Sequence, residues 1–196
     1  MNYEVRWFIE GSYPDEIGEW QANKGFMKEK KRSDIYLIFP SPEIGVKLRE
    51  GRLEIKYRLA YDEFTSLSNR FSGKMEFWKK TSIDLSDPIA NPFQNVDDYL
   101  FAVEKERAIL RFQMDPLSGK LATVKGKIDL GVIIESTKLT IQGSNWWTLG
   151  FDAFGEREIQ KECLLNGIPL ILMDFPLPKL QLNDSMSYPQ WLLSLG

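Results

Sequence analysis

Histidine is absent from this chain of 196 residues, and cysteine occurs only once, at Cys163. The lack of histidine excludes Ser-His and Cys-His nucleophile pairs, histidine acid–base chemistry and the usual zinc sites. A single cysteine excludes an internal disulfide and indicates a reducing compartment. An enzyme built from this sequence must therefore use carboxylates, lysines, tyrosines or a hard cation.

The sequence also lacks long apolar runs, signal-peptide features and glycine-rich phosphate loops. No segment approaches the length and hydrophobicity of a membrane span, and the charged start over residues 1–11 carries no basic leader. Neither a dinucleotide-binding fingerprint nor a nucleophile elbow is present. We therefore expect a cytoplasmic protein that has no membrane partner.

The composition is typical of a globular protein, with 43% hydrophobic and 27% charged residues. The length predicts a single domain over residues 1–196 with a sizeable core. A net charge of −3 gives no general attraction to nucleic acid, so we expect no nucleic-acid partner. Any basic site must be a local concentration of cations within an acidic protein.

The chain does contain strict polar–apolar alternation, most clearly over residues 45–59, GVKLREGRLEIKYRL. The alternation continues on both sides of a glycine-bearing link at residues 50–52, which predicts a β-hairpin. One face of this hairpin is apolar, and the other carries four cations: Lys47, Arg49, Lys56 and Arg58. Pattern alone favours a solvated sheet face, and the functional alternative is a cationic wall that binds phosphate oxygens.

Similar alternation predicts about seven to nine strands along the chain, together with about three or four helices. One helix is predicted from residue 95 to 103, and the strand after it from about Arg107. The predicted fold class is α+β, an antiparallel barrel with helices packed outside it. If the sheet closes, the charged faces of its strands converge on an interior. Besides the hairpin, those faces carry Glu4, Arg6, Arg107, Arg111, Glu135 and Asp152.

The order of these features resembles the CYTH superfamily, also called triphosphate tunnel metalloenzymes, over about residues 1 to 156. A charged first strand is followed by a short helix, an Asp-x-Tyr-Leu strand at residues 34–37, the basic hairpin and later carboxylate-bearing strands. The hairpin looks like the Leu-Arg-x-Arg and Leu-x-x-Lys strands of that superfamily. The matching positions are Lys47, Arg49, Lys56 and Arg58.

The N-terminal Glu-x-Glu-x-Lys motif of the superfamily falls on Asn2, Glu4 and Arg6. An asparagine thus replaces the first glutamate, which the family uses for its divalent cation, and an arginine replaces the lysine. Because one carboxylate is missing, we expect magnesium to bind weakly, triphosphate to bind even in excess chelator, and turnover to be slow or absent.

The resemblance implies a tunnel that binds a triphosphate and hydrolyses or cyclises it with magnesium or manganese. The implied partner is a phosphorylated small molecule, and the implied activity is that of a metal-dependent triphosphatase. The implied phosphate-binding residues are Arg6, Lys47, Arg49, Lys56, Arg58, Arg107 and Arg111. The implied metal ligands are Glu4, Glu135 and Asp152.

A second hypothesis is a non-enzymatic barrel that binds a small ligand or a protein partner through its aromatic residues. Trp146, Trp147 and Phe151 are the candidates, although aromatic residues at alternating strand positions more often belong to a core. A third hypothesis is a scaffold without a ligand site. Basic rows that face a closed interior favour the phosphate hypothesis, whereas a cavity lined by the tryptophans favours the second.

Overall fold

The computed structural model describes residues 1–67, 70–85 and 99–195 of the chain. Within these ranges the chain forms ten strands, three α-helices and a short 3-10 turn at Leu182–Asp184. The strands are β1 (Asn2–Glu10), β2 (Met27–Lys28), β3 (Arg32–Leu37), β4 (Ile44–Arg49), β5 (Arg52–Leu67), β6 (Phe71–Asp84), β7 (Leu100–Met114), β8 (Leu121–Val124), β9 (Gly131–Ile141) and β10 (Ser144–Phe154). The helices are α1 (Asp15–Lys24), α2 (Arg157–Ile171) and α3 (Tyr188–Leu193).

Eight of these strands close into an antiparallel barrel. The order around the barrel is β7-β3-β4-β5-β6-β1-β10-β9, and closure occurs because β9 pairs back onto β7. The short strands β2 and β8 add to the long strand β7. The antiparallel barrel predicted from the alternating sequence is therefore confirmed. No helix in the described ranges is long and apolar enough to cross a bilayer.

The predicted basic hairpin consists of β4 and β5, joined by a tight turn at Glu50 and Gly51. Both turn residues have positive φ, 50° for Glu50 and 74° for Gly51. Two consecutive residues in this region give a turn whose twist matches that of the flanking strands. The resulting register places Lys47 opposite Glu54, so that these two side chains share the inner face of the barrel.

The main apolar core lies outside the barrel, between the outer face of its wall and helices α1 and α2. Strand residues such as Trp7, Leu149 and Phe151 are fully buried there. They share one cluster with Ile17 of α1 and Leu164 of α2. Because successive side chains of a strand point to opposite faces, the residues between them are directed into the barrel.

Helix α3 closes one end of the barrel. Trp191 stacks on Phe8 with ring centroids 4.7 Å apart, and Tyr188 stacks on Tyr36 at 5.5 Å. Together with inward-facing residues such as Leu139, these side chains form a second buried apolar cluster. The interior is therefore apolar at the end that α3 covers.

The helix predicted for residues 95–103 is wrong in the part that the structure describes. Residues 95–98 lie outside the described ranges, while Leu100 already begins β7. The alternation here is that of a strand, since Val103 and Lys105 are buried and Glu104 is exposed. Pairing with β3 on one edge and β9 on the other supplies the hydrogen bonds that favour this conformation.

Candidate functional site

The barrel encloses a cavity of about 400 Å³ whose lining is mainly charged. Eight lining residues are cationic: Arg6, Arg32, Lys47, Arg49, Lys56, Lys80, Lys105 and Arg107. Four carry carboxylates: Glu4, Glu54, Glu135 and Asp152. Asp34 and Glu29 lie outside this lining but also pair with its cations, Asp34 with Lys105 and Glu29 with Arg107. With these two carboxylates included, the cations still outnumber the carboxylates by eight to six, although the whole protein is acidic. Such a local excess of positive charge favours anions.

These charged side chains lie in the cavity because alternate residues of each strand point into the barrel. On β1, Glu4 and Arg6 line the interior while Val5 belongs to the outer core. The Arg6 guanidinium lies against Gly150 of the neighbouring strand, where any added Cβ would be only 2.5 Å from the Arg6 Cζ atom. Glycine at this position therefore makes room for the arginine.

Two arginines share one carboxylate in the middle of the cavity. Arg6 donates to Oε1 of Glu135 at 2.8 Å, and Arg107 donates to Oε2 at 2.6 Å. Arg6 also donates to the hydroxyl of Thr148 at 2.8 Å. Burial opposes ionisation of Glu135, but the two guanidiniums outweigh it and hold the pKa of this carboxyl well below its usual range. Both oxygens of Glu135 are thus engaged by the protein's own cations.

Lys105 is the most deeply buried lysine of the cavity, with only 4% of its side chain exposed. Its Nζ atom donates to the Tyr36 hydroxyl at 2.6 Å and lies 3.2 Å from Oδ2 of Asp34. Burial, with repulsion from Lys47, lowers the pKa of Lys105 well below its usual value, and Asp34 offsets only part of that shift. The Asp34 carboxylate also pairs with Lys47 at 3.4 Å, so that this buried aspartate forms ion pairs with two lysines.

Glu4 and Asp152 lie opposite each other on paired strands and form the acidic part of the lining. Lys56 donates to Glu4 at 2.9 Å, whereas Asp152 accepts a hydrogen bond from the Asn2 amide at 3.2 Å. Burial and repulsion from Glu4 raise the pKa of Asp152 to about 7. Asp152 is therefore the least stabilised carboxylate of the cavity.

Arg49 and Lys80 lie where the cavity becomes more exposed. Among the described residues the ion-pair partner of Arg49 is its neighbour Glu50, at 3.6 Å, and the Glu50 side chain is 70% exposed. Lys80 pairs with Glu54 at 2.9 Å and is itself 48% exposed. A cation with a weak, exposed ion pair gives up little interaction energy when it binds a ligand instead. Arg49 is therefore the cation of the lining best placed to bind an anion.

Most of the predicted site residues meet in this cavity, and two do not. Arg58 pairs instead with Glu76 at 2.5 Å and with Glu43 at 3.3 Å. Arg111 lies further along β7 and is absent from the lining. The predicted residues that the cavity does bring together are Glu4, Arg6, Lys47, Arg49, Lys56, Arg107, Glu135 and Asp152.

The aromatic residues of the second hypothesis do not line this cavity. Trp147 and Phe151 are buried in the outer core. Trp146 packs against Trp191 at the closed end, with ring centroids 5.7 Å apart. Since the basic rows face the interior and the tryptophans are core residues, the structure favours the phosphate hypothesis over an aromatic site.

Several residues of the cavity lining could not be recognised from the sequence. Lys105 lies between the predicted helix and the strand predicted from about Arg107, and its neighbours Glu104 and Glu106 hide the alternation because both faces of the strand carry charge there. Tyr36 resembled an ordinary strand residue. Tyr188 lies on the terminal helix, for which no contact could be foreseen. The Asp-x-Tyr spacing of β3, which turns both polar side chains inward, was the one available signal.

The carboxylates present do not fit a divalent-cation site. Within residues 1–67, 70–85 and 99–195, no group of three or more metal-ligating side chains is arranged to hold a metal ion. Of the predicted ligands, Glu135 is bound by two arginines and Glu4 by Lys56. Asp152 accepts a hydrogen bond from the Asn2 amide, and the carboxylate opposite it, Glu4, is the one already paired with Lys56. The magnesium or manganese implied by the resemblance thus has no site among these side chains.

Comparison with known proteins identifies similar solved structures only. No model of a protein family matches the sequence, and no curated protein matches it. The PH1819 protein from Pyrococcus horikoshii OT3 shares 18% identity with a TM-score of 0.53, over 98% of this chain and 99% of its own. The PH1012 protein of the same organism shares 16% identity with a TM-score of 0.47, over 94% of this chain and 99% of its own. HpAC1 from Hippeastrum, described as a proposed adenylyl cyclase with a dominant triphosphatase activity, shares 12% identity with a TM-score of 0.44, over 87% of each chain. The likeness to PH1819 concerns the fold alone.

Proposed function

We propose that this chain is a divergent CYTH-like protein that binds a polyphosphate-bearing small molecule, a triphosphate or a nucleotide-like compound, inside its barrel. The observation that carries the proposal is the excess of cations in the lining of the barrel cavity, eight against four carboxylates. Arginine and lysine donate charge-assisted hydrogen bonds to phosphate oxygens, and such bonds are about twice as strong as neutral ones.

The distribution of the cations supports a ligand with several phosphates rather than one. Lys105 lies at the closed end, Arg6 and Arg107 lie in the middle, and Arg49 and Lys80 lie toward the exposed end. A single phosphate could contact neighbouring members of this set, but it could not reach from Lys105 to Lys80. A chain of phosphates could contact all of them in succession.

The ion pairs already present decide how such a ligand would bind. Lys56 would exchange Glu4 for a phosphate oxygen, and Lys80 would exchange Glu54, so each contact replaces an existing one. Arg49 differs because its neighbour Glu50 is largely exposed and screened by water. We therefore expect Arg49 to contribute more net binding free energy than the cations that already have buried partners.

We propose that the chain binds its ligand without hydrolysing it rapidly. Hydrolysis in the way that the resemblance implies requires a divalent cation beside the phosphates. In the described part of the chain the candidate ligands Glu4 and Glu135 are held by lysine and arginine instead. We propose that turnover of triphosphates is slow or absent, and that the cationic side chains alone neutralise the ligand.

Calorimetry and thermal unfolding with tripolyphosphate test the proposal. The wild type should be stabilised by millimolar tripolyphosphate, since a ligand that binds the folded state raises its stability. Arg49→Ala should weaken binding by about 1–3 kcal/mol through loss of a charge-assisted hydrogen bond. Lys79→Ala is the matched control, because Lys79 is an exposed cation beside Lys80 on the same strand but outside the cavity lining.

Two results would contradict this function. One is an unfolding temperature of the wild type that tripolyphosphate leaves unchanged. The other is an equal loss of affinity in Arg49→Ala and Lys79→Ala, which would indicate attraction by net charge and not by the cavity.

A further inference from the structure

The two ends of the cavity differ in how far their cations are exposed. The exposed fraction of the side chain is 4% for Lys105, 20% for Lys47 and 48% for Lys80. The least exposed of these lysines is the one beside helix α3, which carries Tyr188 and Trp191. A ligand that enters the barrel must therefore enter from the Lys80 end and stop at α3.

Tyr188 lies at the inner limit of the cavity, with only 8% of the residue exposed. Its ring is fixed from several sides: the Lys105 Nζ atom lies 3.8 Å from the ring centroid, Tyr36 stacks on it at 5.5 Å, and Phe8 meets it edge-on at 5.0 Å. Cation–π contact and stacking hold the ring whether or not its hydroxyl is bonded.

The hydroxyl of Tyr188 is buried and has no hydrogen-bond partner among the described residues. Such a group is costly in a folded protein unless water or a ligand satisfies it. The neighbouring polar groups bond to other partners. Lys105 donates to Tyr36 and lies beside Asp34. Arg6 donates to Glu135 and Thr148. What the hydroxyl lacks is an acceptor for its proton.

An anionic oxygen at this point would satisfy that requirement. It would accept from the Tyr188 hydroxyl and would be attracted by Lys105 and by Arg6, whose Cζ atom lies 5.2 Å from the centroid of the tyrosine ring. A neutral or bulky group would desolvate these cations without compensating them. The closed end therefore suits a small, charged terminal group.

We propose that Tyr188, with Lys105 and Arg6, forms a subsite for the terminal phosphoryl group of the ligand, so that the cavity selects phosphate chains with at least one free end. This inference rests on the proposed function and specifies its substrate class. The free end lies against α3, and any organic group attached to the other end lies toward Lys80 and solvent. A chain blocked at both ends cannot place a phosphoryl group against Tyr188.

Two measurements by calorimetry test the subsite. Tyr188→Phe removes the hydroxyl and keeps the ring, and it should weaken tripolyphosphate binding about 3- to 10-fold, the usual effect of one hydrogen bond. Its unfolding temperature without ligand should equal or exceed that of the wild type, because no protein group loses a partner. Tyr61→Phe is the control, since Tyr61 is 53% exposed and lies outside the cavity lining.

The second measurement compares adenosine tetraphosphate, which has one free end, with diadenosine tetraphosphate, which has none. We expect the blocked compound to bind at least about tenfold more weakly. Equal binding of the two compounds, or unchanged tripolyphosphate affinity in Tyr188→Phe, would overturn the subsite and leave the proposed function standing. If the wild type binds no tripolyphosphate at all, the proposed function and the subsite are both wrong.

Discussion

The two faces of the barrel wall carry opposite chemistry. The outer face packs apolar side chains such as Leu149 and Phe151 against helices α1 and α2. The inner face carries Arg6, Glu135 and the other charges of the cavity. The apolar packing that stabilises the fold therefore lies mainly outside the barrel, and the charged cavity lies inside it. Substitutions on the two faces should therefore affect different properties.

The largest loss of unfolding free energy is expected from a substitution on the outer face. Phe151→Ala removes a fully buried ring that meets Trp7 edge-on and should destabilise the protein by about 3–5 kcal/mol through lost burial and a cavity. Denaturant unfolding measures the change, with Leu117→Ala as control because Leu117 is 97% exposed. A loss below about 1 kcal/mol would show that the outer core is not the main source of stability.

A substitution on the inner face should lower the free energy of unfolding by less, and it should also change the response to ligand. Glu135→Gln leaves Arg6 and Arg107 facing each other without their shared carboxylate, and we expect a loss of about 3 kcal/mol. Tripolyphosphate should stabilise this variant more than it stabilises the wild type, because a phosphate can replace the missing charge. Phe151→Ala serves as the comparison, since its ligand-induced stabilisation should equal that of the wild type. An equal ligand effect in both variants would contradict the separation of the two faces.

Asp152 offers a test through pH. Its pKa of about 7 lies above that of an unfolded aspartate, so between about pH 4 and 7 the folded state binds more protons and stability falls as the pH rises. Asp152→Asn removes the ionisation and should raise the unfolding free energy by about 1–3 kcal/mol near pH 8, with little change near pH 4.

Denaturant unfolding at both pH values checks the Asp152 prediction. Asp129→Asn is the control, since Asp129 is exposed and lies outside the cavity. A gain in Asp152→Asn that is the same at both pH values would contradict this pH dependence.

Removal of divalent metal ions should have the smallest effect, a slight change in the affinity for tripolyphosphate. Because lysine and arginine occupy Glu4 and Glu135, we expect tripolyphosphate affinity in excess chelator to stay within about threefold of that in magnesium. Calorimetry under the two conditions measures it, and Asn2→Glu, which adds the missing carboxylate, should make binding more dependent on magnesium. Binding by the wild type that requires magnesium would show that other ligands complete a metal site.

Alternation along the strands was readable from the sequence because side-chain direction in a strand follows local geometry. It separated Glu4 and Arg6 from Val5 and Trp7, and it predicted the hairpin of Lys47 and Lys56 as well as the antiparallel barrel. These inferences needed only neighbouring residues. The start of β7 was missed because residues 100–103 are all apolar and residues 104–107 are all charged, so that neither run alternates. Pairing with β3 and β9 decides their conformation.

Residue types and strand alternation are enough to identify which chemistry the chain lacks and which charges share a strand face. That those faces turn inward follows from the folded barrel, since closure of β7 onto β9 joins residues far apart in the chain. The pairing of Arg58 with Glu76 and the contact between Lys105 and Tyr188 at the closed end depend on the fold in the same way. Strand alternation is a local property, whereas ion pairing and enclosure depend on contacts that only the folded barrel creates.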